Sequence, residues 1–76
     1  MMNRQKFKDE LSIRSINGLA RCFGRQALET PEVIAKAGAR RLRLAIGLGP
    51  KSIKEIAIVL YRYEYIDDDV EKWLKG

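Results

Sequence analysis

Six residues constrain this chain more than any others: Gly47-Leu48-Gly49-Pro50-Lys51-Ser52. Ile46 leads into them, and Ile53 opens an apolar run at helical spacing. Two glycines separated by one residue allow a tight turn and a close approach to a neighbour. Pro50 has no N–H to lose, and its fixed φ suits a first helical position. Ser52 can cap or extend the start of the helix that follows. The stretch predicts a hairpin between two helices. Backbone N–H groups at such a helix start point outward with the positive end of the dipole, an arrangement that suits a phosphate. It is not the phosphate loop of nucleotide-hydrolysing proteins. That pattern needs Gly directly before Lys-Ser, and Pro50 stands there.

At 76 residues the chain has room for one small domain with a thin core. Its hydrophobic share of 46% fits a folded chain. No apolar run approaches the roughly 18 residues of a membrane span, and the polar N-terminus does not resemble a secretory signal. Cys22 is the single cysteine, which fits a reducing, cytoplasmic setting. There is no histidine. The commonest general base and metal ligand is therefore missing, and no Ser/His or Cys/His nucleophile pair can form. Neither an enzyme nor a bound cofactor or metal is expected.

Taken in order, residues 1–10 read as a polar lead-in, either a strand or a frayed turn. The first firm helix runs from the cap Ser12 to the stop Gly24. Helical spacing predicts that Ile13, Ile16, Leu19, Ala20 and Phe23 share an inner side. Arg14, Asn17, Gly18 and Arg21 fall opposite. Gly18 costs a helix about 1 kcal/mol against Ala and offers only proximity, which favours a contact face. Thr30-Pro31-Glu32 marks the next start, with a break near Gly38 and a short helix over 39–45. There Leu42 and Leu44 are expected inward or near the hairpin, and Arg40, Arg41 and Arg43 outward. The best helix runs from Ile53 to about Tyr63, with Ile53, Ile56, Ala57 and Leu60 as its core stripe. Ile58 lies among charges on the other side. Tyr61, Tyr63 and Tyr65 are expected to pack on the C-terminal tail. Asp67 to Asp69 read as the cap of a last helix, Val70 to Leu74, and not as a calcium loop, which needs spaced oxygens and a distal Glu. Trp73 and Val70 would fold back onto the core. The fold class is all-α, a bundle of four or five short helices over residues 1–76.

Charge is uneven. Residues 1–51 hold eleven Lys/Arg against four Asp/Glu, whereas residues 52–76 hold four against six. A basic body with an acidic tail fits a polyanion met by the first part. Arginine can bond phosphates or enter a narrow minor groove, and Asn17 can meet a base edge or sugar. The hairpin reads as part of a helix-hairpin-helix unit that holds DNA.

Two motifs carry a family resemblance. Leu11-Ser12-Ile13-Arg14-Ser15-Ile16-Asn17-Gly18-Leu19 resembles the opening of the C-terminal domain of the bacterial RNA polymerase α subunit. Gly47-Leu48-Gly49-Pro50-Lys51-Ser52-Ile53-Lys54-Glu55-Ile56 resembles its second motif, and Trp73 agrees in order. The likeness spans about residues 9–74. It implies a compact helical unit that binds AT-rich DNA through the minor groove and meets RNA polymerase, σ factor or a transcription regulator. It implies Arg14 as the groove-inserting arginine, Asn17 as its neighbour and Gly18 at the close approach. In the second motif it implies Gly49, Lys51, Ser52 and Glu55, with Gly47 in the same hairpin. Gly47 stands where the family usually has Asn, Pro50 replaces a basic residue, and the middle is somewhat longer. The polymerase assembly domain and tether are missing from the sequence, which suggests a free-standing relative in a bacterial or phage-infected cell, or an excised domain.

The leading expectation is thus a DNA-binding module in transcription. The alternative is a protein-interaction module that docks on polymerase or a regulator without DNA. A third reading is a sequence-blind DNA clamp of a repair factor.

Overall fold

The computed structural model describes residues 7–67 and 69–75, and within them it is helical with no strand. Five helices follow a helical turn at 7–9: α1 Ile13–Phe23, α2 Gln26–Glu29, α3 Pro31–Arg43, α4 Pro50–Arg62 and α5 Val70–Lys75. Helix α4 is the central element. Helices α1, α3 and α5 pack on it, and α2 links α1 to α3.

The apolar spacing of α4 explains its position. Ile56, Ala57 and Leu60 are fully buried, with Ile53 and Val59 nearly so. They meet Leu19 of α1 and Ile34 and Leu42 of α3 in one core. Helix α3 breaks where expected. Gly38 has φ 84° and ψ 162°, a region essentially reserved for glycine, and the kink brings Ala39 and Leu42 into the core. Pro31 opens this helix, but the Thr30 side chain makes no capping bond. At the C-terminus Asp69 Oδ1 accepts from the Lys72 N–H at 3.0 Å, which caps α5. Trp73 then folds inward and donates Nε1–H to the Ala35 carbonyl at 3.2 Å.

Three expectations change. Ile13 is 76% exposed, and Ser15 is fully buried in its place. The two positions lie about 160° apart around the helix. Helix α1 is turned so that Ser15 reaches a partner on α4. Leu44 takes the second of its two expected places: it is 79% exposed, just after α3 ends and close to the hairpin in sequence. The lead-in contributes Phe7 to the core, fully buried. Two of the three tyrosines reach that lead-in, while Tyr61 is half exposed. Tyr65 meets Phe7 edge-on at 6.0 Å between centroids, and Tyr63 donates its hydroxyl to Glu10, which also pairs with Arg62. Residues 1–6 of the lead-in lie outside the described residues.

Arg40, Arg41 and Arg43 are exposed as expected, yet two of them have partners. Arg43 donates to the Leu74 carbonyl at 2.6 Å, and the Arg41 guanidinium stands 6.0 Å from the centre of the Phe23 ring. The first bond suits a basic side chain at a helix C-terminus.

Candidate nucleic-acid interface

Gly47, Leu48 and Gly49 lie in the turn between α3 and α4, as the sequence predicts. Gly47 has φ 96°, where a Cβ would be strained, so this position in the hairpin favours glycine. Leu48 points inward and is buried, while Gly47 and Gly49 on either side are exposed. Gly49 is the N-cap of α4 and supplies no side-chain cap. Pro50 opens the helix, and its first turn carries no acid. The exposed Lys51 is the first residue there with an N–H to offer.

The other helix starts are better supplied with carboxylates. Helix α3 has Glu32 in its first turn, and α5 has the Asp69 cap with Glu71. Helix α1 has no acid of its own and receives one from α4. Glu55 Oε1 accepts from the Ser12 N–H at 3.2 Å, the Ser12 hydroxyl at 3.0 Å and the Ser15 hydroxyl at 2.6 Å. The Ser12 hydroxyl in turn accepts from the Ser15 N–H at 3.2 Å, which confirms Ser12 as the N-cap. These bonds, the one from Ser15 foremost, hold the Glu55 carboxyl below its ordinary range against the opposing effect of burial. The positive end of α1 is therefore satisfied within the protein, whereas the first turn of α4 contains no acid of its own and, among the described residues, receives no carboxylate bond.

Helix α1 and the hairpin touch at Gly18. A Cβ built there would stand 2.6 Å from Leu48 Cγ and 3.3 Å from the Gly47 carbonyl oxygen. Gly18 is buried. Its missing side chain makes room for Leu48 of the same chain, which corrects the expectation that it leaves space for an outside partner.

Arg14, Asn17, Gly18 and Gly47 line one open concavity of about 820 Å³. Arg21 and Arg25 line it too. Lys51 and Glu55 belong to a second concavity, with Lys54, Ile58 and Arg62 of α4 and with Glu10 of the lead-in. The eight residues singled out in the sequence thus divide by position. Arg14, Asn17, Gly47, Gly49 and Lys51 are exposed. Gly18 and Ser52 are buried, and Glu55 is partly covered and bonded to α1. Gly18 packs on Leu48 and Glu55 ties α4 to α1, whereas of the five exposed residues Arg14, Asn17 and Gly47 share one hollow and Lys51 lines another. Arg25 escaped the sequence reading. It lies four positions past Arg21 and continues the row, but Gly24 ends α1 between them, so helical spacing alone gives no licence to extend it.

Among the described residues no group of His, Cys, Asp or Glu could hold a metal ion, and no helix is long and apolar enough to cross a membrane. No protein-family profile, curated protein or solved structure matches the chain.

Proposed function

We propose that the chain is a DNA-binding module that acts in transcription and takes AT-rich duplex by its minor groove and the flanking phosphates. Arg14 enters the groove, where a narrow AT-rich tract concentrates negative potential. Asn17 meets a base edge or sugar beside it. Lys51 and the first amides of α4 hold phosphate, with Gly47 and Gly49 allowing the backbone to come close. No catalytic step and no cofactor enter this reading.

One observation carries it: Arg14 and Asn17 of α1 line the same concavity as Gly47 of the hairpin. Two stretches 30 residues apart in the sequence thereby line one hollow, to which α1 brings the charge. The resemblance of both motifs to the polymerase α C-terminal domain points to the same partner and to transcription.

An electrophoretic shift comparing AT-rich with GC-rich duplex of equal length tests the reading. Both should shift at low salt, the AT-rich duplex at lower protein concentration. No shift at low salt would refute it. The alternative, docking on polymerase or a regulator without DNA, draws on Ile58. This residue is 40% exposed among Lys51, Lys54 and Arg62 on the outer side of α4. Capture of polymerase together with no DNA shift would favour that alternative.

A further inference from the structure

We propose that Arg21 and Arg25 form a second grip on the DNA backbone, so that the interface runs the length of α1 and beyond the hairpin. The proposal rests on the DNA-binding reading above and adds two phosphate contacts to it.

The concavity that holds Arg14 and Asn17 also holds Arg21 and Arg25, and no Asp or Glu lines it. One other hollow, lined by Arg43, Leu48, Pro50, Ile53, Lys54 and Leu74, is also free of acids, but its Arg43 is already bonded to the Leu74 carbonyl. The concavity beside Lys51 contains Glu10 and Glu55, and the one beside Trp73 contains Glu32 and Asp67. Arg14, Arg21 and Arg25 are all exposed. Among the described residues none of the three makes an ion pair or a side-chain hydrogen bond, in contrast with Arg43 and Arg62. Three like charges around one acid-free hollow repel each other, and a polyanion laid across them relieves that repulsion.

Spacing separates their roles. Arg14 and Arg21 are seven positions apart on α1, which is about 10 Å along the axis. A B-DNA minor groove is only about 6 Å wide. With Arg14 in the groove and α1 crossing it, Arg21 is rooted beyond the wall, where the phosphates are. Gly24 then ends α1 with φ 91° and ψ 161°, and the chain turns into α2 with Arg25 still on the same hollow. A planar guanidinium fork suits a phosphate bidentately at both places.

The test uses the whole chain and a 20-base-pair AT-rich duplex, with affinity read by fluorescence anisotropy across a salt series. The variant is Arg21→Gln with Arg25→Gln, which keeps the length of both stems. Each lost phosphate contact removes about 0.9 from the slope of log K against log salt, so the slope should flatten by about 1.8. Affinity near 0.1 M salt should fall roughly 10- to 100-fold. The preference for AT-rich over GC-rich duplex should stay as in the parent, because phosphates carry no sequence information. Arg21→Lys with Arg25→Lys should keep the parent slope. Lys36→Gln with Arg40→Gln removes the same net charge from α3 and should leave the slope within about 0.5. Melting curves establish that each variant is folded.

An unchanged slope in the glutamine pair, with the parent binding normally, overturns the second grip and leaves the DNA reading standing. An equal loss in the α3 pair overturns it too, since net charge would then explain the effect. Loss of the AT preference would make the pair groove readers and overturn the phosphate assignment. A parent that binds no duplex at low salt, or binds only an acidic protein, removes the DNA reading and this inference with it.

Discussion

Gly18 and Leu48 occupy one space: the side chain that Gly18 lacks is where Leu48 sits. A Cβ on Gly18 would lie 2.6 Å from Leu48 Cγ, and Leu48 is only 7% exposed. This contact sets how closely α1 approaches the hairpin, and therefore how Arg14 stands relative to Gly47.

In an exposed helix, Gly→Ala stabilises by about 1 kcal/mol. Here the added methyl meets a buried leucine, and overpacking typically costs about 1–3 kcal/mol. Gly18→Ala is therefore expected to destabilise by about 1 kcal/mol net. In a domain this small, that lowers the melting temperature by roughly 4–8 °C. Adding Leu48→Ala should recover part of the Gly18→Ala penalty, as a double-mutant cycle would measure. A rise in melting temperature for Gly18→Ala alone would mean that Leu48 moves aside freely.

The tie between Glu55 and α1 should appear in the pH dependence of stability. The Ser15 hydroxyl, followed by the N–H and hydroxyl of Ser12, lowers the Glu55 pKa from its ordinary 4.5. Between the folded and unfolded values the unfolded chain binds more protons, so stability rises with pH there. The contribution is complete above about pH 4.5 and is lost as the pH falls through the lower folded value. Glu10 acts in the same direction, held down by the Tyr63 hydroxyl first and by Arg62 after it. Glu55→Gln should thus flatten only part of the acid loss in denaturant melts from pH 6 to pH 3. An identical pH profile for Glu55→Gln and the parent would show that the carboxylate does not tie α1 to α4.

Arg14→Lys separates groove reading from charge. Lysine keeps the charge but is compact and strongly hydrated, so it gains less from a narrow AT-rich groove. The variant is expected to keep measurable affinity and lose most of the AT preference. Lys51→Ala should weaken AT-rich and GC-rich duplex alike, since a phosphate contact positions without reading sequence. Anisotropy titrations on the two duplexes give both ratios. An unchanged AT-to-GC ratio in Arg14→Lys would rule out the groove role of Arg14.

Trp73 anchors α5. Its Nε1–H meets the Ala35 carbonyl at 3.2 Å, and the residue is only 9% exposed. Trp73→Phe removes the donor and leaves a small void, with an expected loss of about 1–3 kcal/mol in chemical denaturation. No loss would mean that α5 is held by Val70, Leu74 and the Arg43 bond alone.

Much of the helical layout is local chemistry and could be read directly. Ser12 and Gly24 bound α1, Pro31 opens α3, Gly38 breaks it, and Asp69 caps α5, because caps, stops and φ preferences depend on a few adjacent residues. The core stripe of α4 was equally legible, since Ile53, Ile56, Ala57 and Leu60 repeat at the helical period. The rotation of α1 was not. Apolar spacing put Ile13 inside, whereas a hydrogen bond from Ser15 to Glu55, 40 positions away, turns the helix and leaves Ile13 exposed. The purpose of Gly18 was hidden for the same reason: its neighbour Leu48 is 30 positions on. Phe7 entered the core, and Tyr63 and Tyr65 packed on the lead-in, through partners more than 50 positions away. The basic hollow combines both kinds of information. Sequence placed Arg14, Asn17 and Arg21 on one side of a helix, but the joining of that side to Gly47 and Arg25 depends on how the chain turns at Gly24 and at the hairpin. Short-range preferences determine where helices begin and end; which of their faces meet is decided by pairings between distant residues, and these exist only once the bundle has closed.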